Sequence, residues 1–310
     1  MIKYEWRDGF DESEAAELRG LLERATAYDA EPEYNTIDPD DVLARTAEPD
    51  NVRNLVIWML PRPNTLDGPP DPERIAGMIR FVDRGEQWWD ATVVIDPDLR
   101  SIGIMTLLLE QAGLNLAAEE GWLGSGIHRV QAWARGNHPA SGRIGDRNLI
   151  PRTRRVWKLI RPHDGTESER SLDALSVEDA PDVLVYADRL ESGGQAAEAR
   201  ALAGTLGGDG IQRQVLALRK DGQICGLVDL GLVALDSEEY GRCAPVRHLS
   251  TQTRDRAEIT AVLLGAASVA SNAGLHAIQI HVESTDDDLV GVCRLLGFQH
   301  DRTDVRYELR

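Results

Sequence analysis

Residues 94–106 read VIDPDLRSIGIMT, an apolar strand that ends at Ile95, a Pro-containing turn, and the opening of a helix. The first N–H groups of a helix have no intrahelical partner, and the helix dipole favours an anion beside them. The segment is therefore a candidate phosphate cradle. Gly103 would admit close backbone approach, where a Cβ would intrude. Ser101, Ile102, Gly103, Ile104 and Met105 would offer amides, Thr106 a hydroxyl and Arg100 a charge. The Met105 thioether either crowds the anion or turns into the core. A tight turn that uses glycine, with no ligand, is the alternative. A second candidate is His138, which stands where a strand gives way to a helix at Pro139. Its ordinary pKa, near 6.5, suits proton transfer, although His-Pro at that place is also a turn signal.

The chain has 310 residues, 42% apolar and 28% charged, which is globular composition and long enough for two domains. A net charge of −18 argues against nucleic acid as partner, while leaving room for a local pocket that takes a small polyanion. No apolar run approaches the ~20 residues that span a bilayer, and Met1–Trp6 lacks an apolar signal core. Cys225, Cys243 and Cys293 are sparse and odd in number, and the seven histidines are scattered. Neither a disulfide framework nor a metal site is expected, and a reducing cytoplasm is. Monomer and homodimer are both compatible with this composition.

The elements that must position these residues fall into two halves. All seven Trp lie at or before Trp157. In the first half Ala15, Leu18, Leu21, Leu22 and Ala25 mark a helix over 11–28. Strands are expected at 54–60, 75–82, 90–95, 129–135 and 155–160, with helices over 102–119 and from Pro139. The Pro/Gly-rich stretch 61–74 reads as a loop of the kind that borders sites. In the second half helices are expected at 176–190, 195–206, 256–272 and 286–295. Strands fall at 214–219, 224–235, 243–249, 277–283 and 304–309, with Asp221-Gly222 as a hairpin turn. Each half reads hairpin, strand, helix, strand, helix, strand: a duplication at domain scale. The expected domains are 1–162 and 173–310, joined by a polar linker at 163–172.

This order resembles the GNAT superfamily of acyl-CoA-dependent N-acyltransferases, and the tandem arrangement is similar to the mycothiol synthase family within it. The signature Gln/Arg-x-x-Gly-x-Gly/Ala is matched by Arg100-Ser101-Ile102-Gly103-Ile104-Met105 except at the last position. Residues 133–140 (WARGNHPA), 155–162 (RVWKLIRP), His281-Val282-Glu283-Ser284 and Leu296-Gly297-Phe298 extend the likeness. The resemblance implies an α/β fold of two tandem domains, each a mostly antiparallel sheet flanked by helices. It also implies acetyl-CoA or CoA as cosubstrate, without a metal, and a small amine as acceptor. Val94, Ile95 and Asn137 join residues 100–106 as the coenzyme contacts implied.

Amine acylation needs a base for the amine, a donor to the thioester oxygen and an acid for the leaving thiolate. In the second half the family's acid register falls on Cys293 and its Asn on Asp286. The base position falls near Cys243, and the phosphate turn aligns with Arg254–Ile259, which lacks both glycines. Glu283 is a possible substitute base. In the first half Asn137 is present, but the acid position falls near Ile144. There Asp90 and His138 are the proton-transfer candidates, each with a plainer reading as solvated charge or turn. Tyr240 and Tyr307 are available phenols that spacing does not single out. The Trp88-Trp89 pair could face an amino sugar. Transfer to a small amine is one reading. A catalytically degenerate tandem protein that binds a CoA-type ligand or a protein partner is the other.

Overall fold

The computed structural model describes residues 1–43, 51–61, 72–163, 172–207 and 212–310. The chain forms two compact units, Met1–Arg155 with Thr303–Arg310, and Val156–Arg302. Most of the 61–74 loop and of the 163–172 linker lies outside the described residues.

Unit 1 runs β1 (Ile2–Trp6), α1 (Glu12–Asp29), α2 (Pro39–Leu43), β2 (Val52–Met59), β3 (Arg74–Asp83), β4 (Trp88–Ile95), α3 (Ile104–Ala112), β5 (Arg129–Ala134) and α4 (Pro139–Arg147). The next strand, β6 (Arg152–Pro162), begins in unit 1 and passes into unit 2. Helix α1 starts on a capping box, with Asp11 and Glu14 each bonding the other's backbone N–H. Its Leu18, Leu21, Leu22 and Ala25 are buried at the expected helical spacing, against Val56, Trp58, Ile75, Met78 and Val94 of the sheet. The opposite sheet face packs Leu55, Ile57, Ala76 and Ile79 against Ile104 and Leu108 of α3. β2 thus alternates between the two faces, and β3 does so across a register shift opposite Ile57 and Trp58.

Unit 2 contains β7 (Asp173–Ala174), α5 (Ala180–Asp188), α6 (Gly193–Ala203), β8 (Arg213–Lys220), β9 (Gln223–Gly231), β10 (Leu235–Ser237), β11 (Gly241–Thr251), α7 (Arg256–Asn272), β12 (Ala277–Glu283) and α8 (Asp287–Leu295). The last strand, β13 (Gln299–Leu309), begins here and ends in unit 1. Helices α5 and α6 cover one face of the sheet and α7 the other.

The strands of both units follow one plan. β1, β2, β3 and β4 are antiparallel neighbours, β4 and β5 are parallel, and residues 305–309 of β13 pair antiparallel with β5. In unit 2, β7, β8, β9 and β11 are antiparallel, β11 and β12 are parallel, and residues 156–162 of β6 pair with β12. Each unit is therefore mixed α/β with a mostly antiparallel sheet, as expected. Each is completed by a strand from the other half of the chain. The units differ in this way from the expected 1–162 and 173–310, which follow chain order.

Elements that differ from their sequence expectations include α3, β9 and β1. The helix expected over 102–119 stops at Ala112, because Gly113 adopts φ +69 and its N–H closes back on Leu109. The strand expected over 224–235 ends at Gly231, and β10 pairs separately with β11. The short β1 pairs with β2 from Ile2↔Met59 to Trp6↔Leu55, with no counterpart in the sequence reading.

Candidate active site

In unit 1 the parallel pairing of β4 with β5 runs only from Trp88↔Arg129 to Ala91↔Ala132. Beyond it Thr92–Ile95 remain paired to β3 alone, so the sheet opens toward the ends of both strands. The turn at 96–103 leaves the end of β4, and the bend at 135–138 leaves the end of β5.

The turn is fixed from below. Asp96, only 1% exposed, accepts the Asp98 N–H at 3.0 Å and an Arg24 guanidinium N–H at 2.5 Å. The Arg100 side chain points down into the unit. Its Nη1 and Nη2 donate to the two oxygens of buried Asp29 at 2.6 and 2.7 Å, and its Nε donates to the Ile95 carbonyl at 3.1 Å. These hydrogen bonds to Asp29 hold the guanidinium pKa above its ordinary value. Arg100 thus clamps the turn to the end of α1, where the sequence reading had it supply charge to the anion.

Above the clamp the backbone takes φ +67 at Ser101 and +91 at Gly103. Left-handed residues at this spacing turn successive N–H groups toward one concavity. Nothing lies within 4 Å of the place a Gly103 Cβ would occupy, so here the glycine answers the backbone angle and no neighbouring atom. The first bond of α3 is Leu107 N–H to the Gly103 carbonyl, which leaves the amides of Ile104, Met105 and Thr106 ahead of the ladder. Met105 packs inward against the core around Ile104 and Leu108, which settles the choice left open by the sequence. Ser101 and Ile102 are exposed, and Val94 contributes its side chain to the α1 core.

At the neighbouring bend Gly136 and Asn137 are left-handed, with φ +62 and +49, and Asn137 is exposed. Buried Asp304 accepts the Gly136 N–H at 2.9 Å and an Arg135 Nη1 at 3.1 Å. His138 caps α4, its Nδ1 accepting the Ala140 N–H at 3.0 Å, and its ring meets Tyr34 edge-on at 4.4 Å. Burial, and then the Arg100 charge, push the His138 pKa below the ordinary 6.5. The turn and His138 are thus brought together. The folded state takes up this proton less readily than the unfolded chain. The neutral ring's contribution to stability is therefore complete above about pH 6.5 and declines as pH falls below it. An NMR titration of the ring protons is expected to give a midpoint below 6.5; a midpoint above it would contradict the placement.

The other acid–base candidates stand apart. Asp90 has both oxygens engaged, by Arg84 Nε at 2.6 Å and Gln131 Nε2 at 2.5 Å. Glu283 ends β12 in unit 2, where its carbonyl accepts the Asp286 N–H. The Trp pair does not offer free faces: Trp89 is 8% exposed within the core, and the Arg129 and Arg310 guanidinium groups lie over Trp88.

Unit 2 repeats the opening between β11 and β12 after Val246↔Ile280 but fills its turn differently. Asp255 caps Ala257 N–H at 3.1 Å, Glu258 takes the Thr253 hydroxyl at 2.8 Å, and Arg254 turns to Asp286. Carboxylates thus occupy the turn that corresponds in chain order to 100–106. Cys243 and Cys293 are fully buried, and burial pushes the Cys293 thiol up to about 12. A thiol so placed serves the core.

Sequence reading missed a polar chain in this unit. His248 bonds Glu198 through Nδ1 at 2.7 Å and Ser250 Oγ through Nε2 at 3.0 Å, and the Tyr186 hydroxyl donates to that Oγ at 3.0 Å. Ser250 is fully buried, with no surface for an acyl donor, so the chain braces α5 and α6 onto β11. Burial pushes the Tyr186 phenol up to about 12. The alternation of His248 and Ser250 on one face of a strand was the available signal.

A mostly antiparallel sheet with one parallel pair opening onto a helix start is the fold of the GNAT acetyltransferases. A GCN5-related N-acetyltransferase from Sphaerobacter thermophilus superposes with a TM-score of 0.58 at 13% identity, over 99% of this chain and 95% of that one. A tandem GNAT protein from the clavulanic acid biosynthesis pathway gives 0.56 at 15% identity, over 100% and 98%. Among characterised sequences, the mycothiol acetyltransferase of Rhodococcus opacus (strain B4) is 31% identical over 188 residues, 58% of this chain and 54% of that protein. The match thus spans about half the length of that relative. No family profile matches the chain.

Proposed function

We propose that the chain is an acyl-CoA-dependent N-acyltransferase that transfers an acetyl group to a small amine, with the coenzyme held by unit 1. The observation that carries this reading is the turn at 100–106. The amides of Ile104, Met105 and Thr106 precede the helix ladder, the space beside Gly103 is open, β4 and β5 part next to it, and the backbone is locked by Arg100 and Asp29. Coenzyme pyrophosphate would lie on the amides of Ser101–Met105, with the Thr106 hydroxyl beside them and Val94 and Ile95 leading into the gap. The backbone supplies the anion contacts that the Arg100 side chain does not.

Transfer then requires the amine lone pair to attack the thioester carbonyl. Neutral His138 lies beside the turn and is the unit 1 group suited to accept the amine proton. The acceptor proposed is a small amine, and the likeness to a mycothiol acetyltransferase supports that reading. An amino sugar or a thiol-bearing amine is the first to try. A reducing cytoplasm suits three cysteines that are all buried.

One observation favours the second reading, binding without transfer: the carboxylates that fill the unit 2 turn. Incubation with acetyl-CoA and a panel of amino sugars and aminothiols, read by product mass, separates the two. An acetylated amine formed with release of free CoA is expected. Coenzyme binding with no acetylated product from any amine would favour the second reading.

A further inference from the structure

Resting on the coenzyme site proposed for unit 1, we infer that the acceptor amine carries an anionic group, a carboxylate or a phosphate, and that Arg80 of β3 binds it. The register of the sheet sets Asn54, Arg80 and Thr92 side by side on β2, β3 and β4. Thr92 is the first residue of β4 past the last rung shared with β5, Ala91↔Ala132, and Trp133 holds the same place on β5. Trp133 is paired in turn with Arg306 of β13. One row of side chains thus crosses unit 1 where the sheet opens, and all five are half-buried. Val56, Met78 and Val94 lie two positions along the same strands, so they share this face, and they are buried beneath α1. The row therefore stands just beyond the part of the face that α1 covers.

The opposite face is occupied by helices. Ile104 and Leu108 of α3 pack there with Leu55, Ile57 and Ala91. Helix α4 follows, with Gly145 against the Tyr307 ring and Arg147 paired to Glu110 of α3. An amine bound for a thioester in the gap between β4 and β5 therefore comes from the α1 face, past Arg80 and Thr92.

Arg80 is the member of the row with a charge to give. Its Nη1 donates to Asn54 Oδ1 at 3.4 Å, and among the described residues no carboxylate bonds it. Arg100 and Arg306, also half-buried in this unit, are paired with Asp29 and Glu308. Burial pushes the Arg80 pKa below its ordinary value, and the charge of Asp41 on α2 offsets this only in part. A guanidinium keeps its proton in proteins, so Arg80 is a partly desolvated cation without a bonded counter-ion. A ligand anion would supply one. The planar fork of the guanidinium matches two oxygens of a carboxylate or a phosphate. Neighbouring strands lie about 4.8 Å apart, which sets Arg80 one strand from the gap and the anion a few bonds from the amine.

The test uses the full chain with free CoA, so that acceptor binding is read without turnover. Calorimetry compares cysteine with cysteine amide, β-alanine with its amide, and glucosamine 6-phosphate with glucosamine. The anionic member of at least one pair should bind about 10- to 100-fold more tightly, and its acetylation should show the same ratio in kcat/KM. The pair that responds tells carboxylate from phosphate. Arg80→Met keeps the length of the side chain without its charge, and should bring that pair within about twofold of each other, through KM more than kcat. Arg80→Lys should keep part of the preference. Acetyl-CoA affinity should stay within about twofold in both variants. Equal binding of both members of every pair, by a wild-type chain that binds acetyl-CoA, would overturn the inference and leave the coenzyme site standing. So would a preference that survives in Arg80→Met. No coenzyme binding by the wild-type chain would overturn both.

Discussion

Gly103→Glu is expected to weaken acetyl-CoA binding by at least about 100-fold while leaving the fold intact. Two effects act together. Gly103 holds φ +91, a conformation that costs a side-chain-bearing residue of order 1–3 kcal/mol. The new carboxylate would also project into the space above the turn, where no atom now lies within 4 Å and where the pyrophosphate is placed. A combined loss of about 3 kcal/mol corresponds to roughly 100-fold in affinity. Gly103→Ala isolates the conformational part and should cost about tenfold or less. The binding isotherms and far-UV spectra of both variants, measured side by side, check the claim. Wild-type affinity in Gly103→Glu would show that the coenzyme, if bound, does not use this turn.

Arg100→Ala carries the largest expected effect on stability. Asp29 is 2% exposed and has its two oxygens bonded to the Arg100 guanidinium. Removing the arginine strands a buried carboxylate, which typically costs 3–5 kcal/mol, or roughly that much here. The loss should appear as a lower urea midpoint with an unchanged slope. Asp29→Asn added to Arg100→Ala should recover part of it, because the stranded group is then neutral. The same pair sets the height of the turn above Ile95, so coenzyme binding should fall along with stability. A loss below about 1 kcal/mol would mark the pair as a surface ion pair in its energetics.

The sequence showed this turn because its signals are local: a strand run, a proline, a glycine and a helical run within a dozen residues. Helix α1 was legible for the same reason, since its apolar spacing and capping box both lie within the segment. What anchors the turn was not legible. Asp29 is 71 positions from Arg100, and nothing in either neighbourhood names the other. The ends of β6 and β13 were hidden in the same way. Each reads as an ordinary strand of its own half, and only the sheet shows which partner it takes. The length of α3 is a different case. Gly113 stood in the sequence as a stop, but an apolar run to either side outweighed it in the reading.

The most direct test of the account is a calorimetric titration of the wild-type chain with acetyl-CoA. The open turn in unit 1 and the carboxylate-filled turn in unit 2 predict saturation near one equivalent per chain, with Trp fluorescence changing in step because six of the seven Trp belong to unit 1. Saturation near two equivalents, or no heat up to millimolar coenzyme, would contradict the assignment of the coenzyme to unit 1.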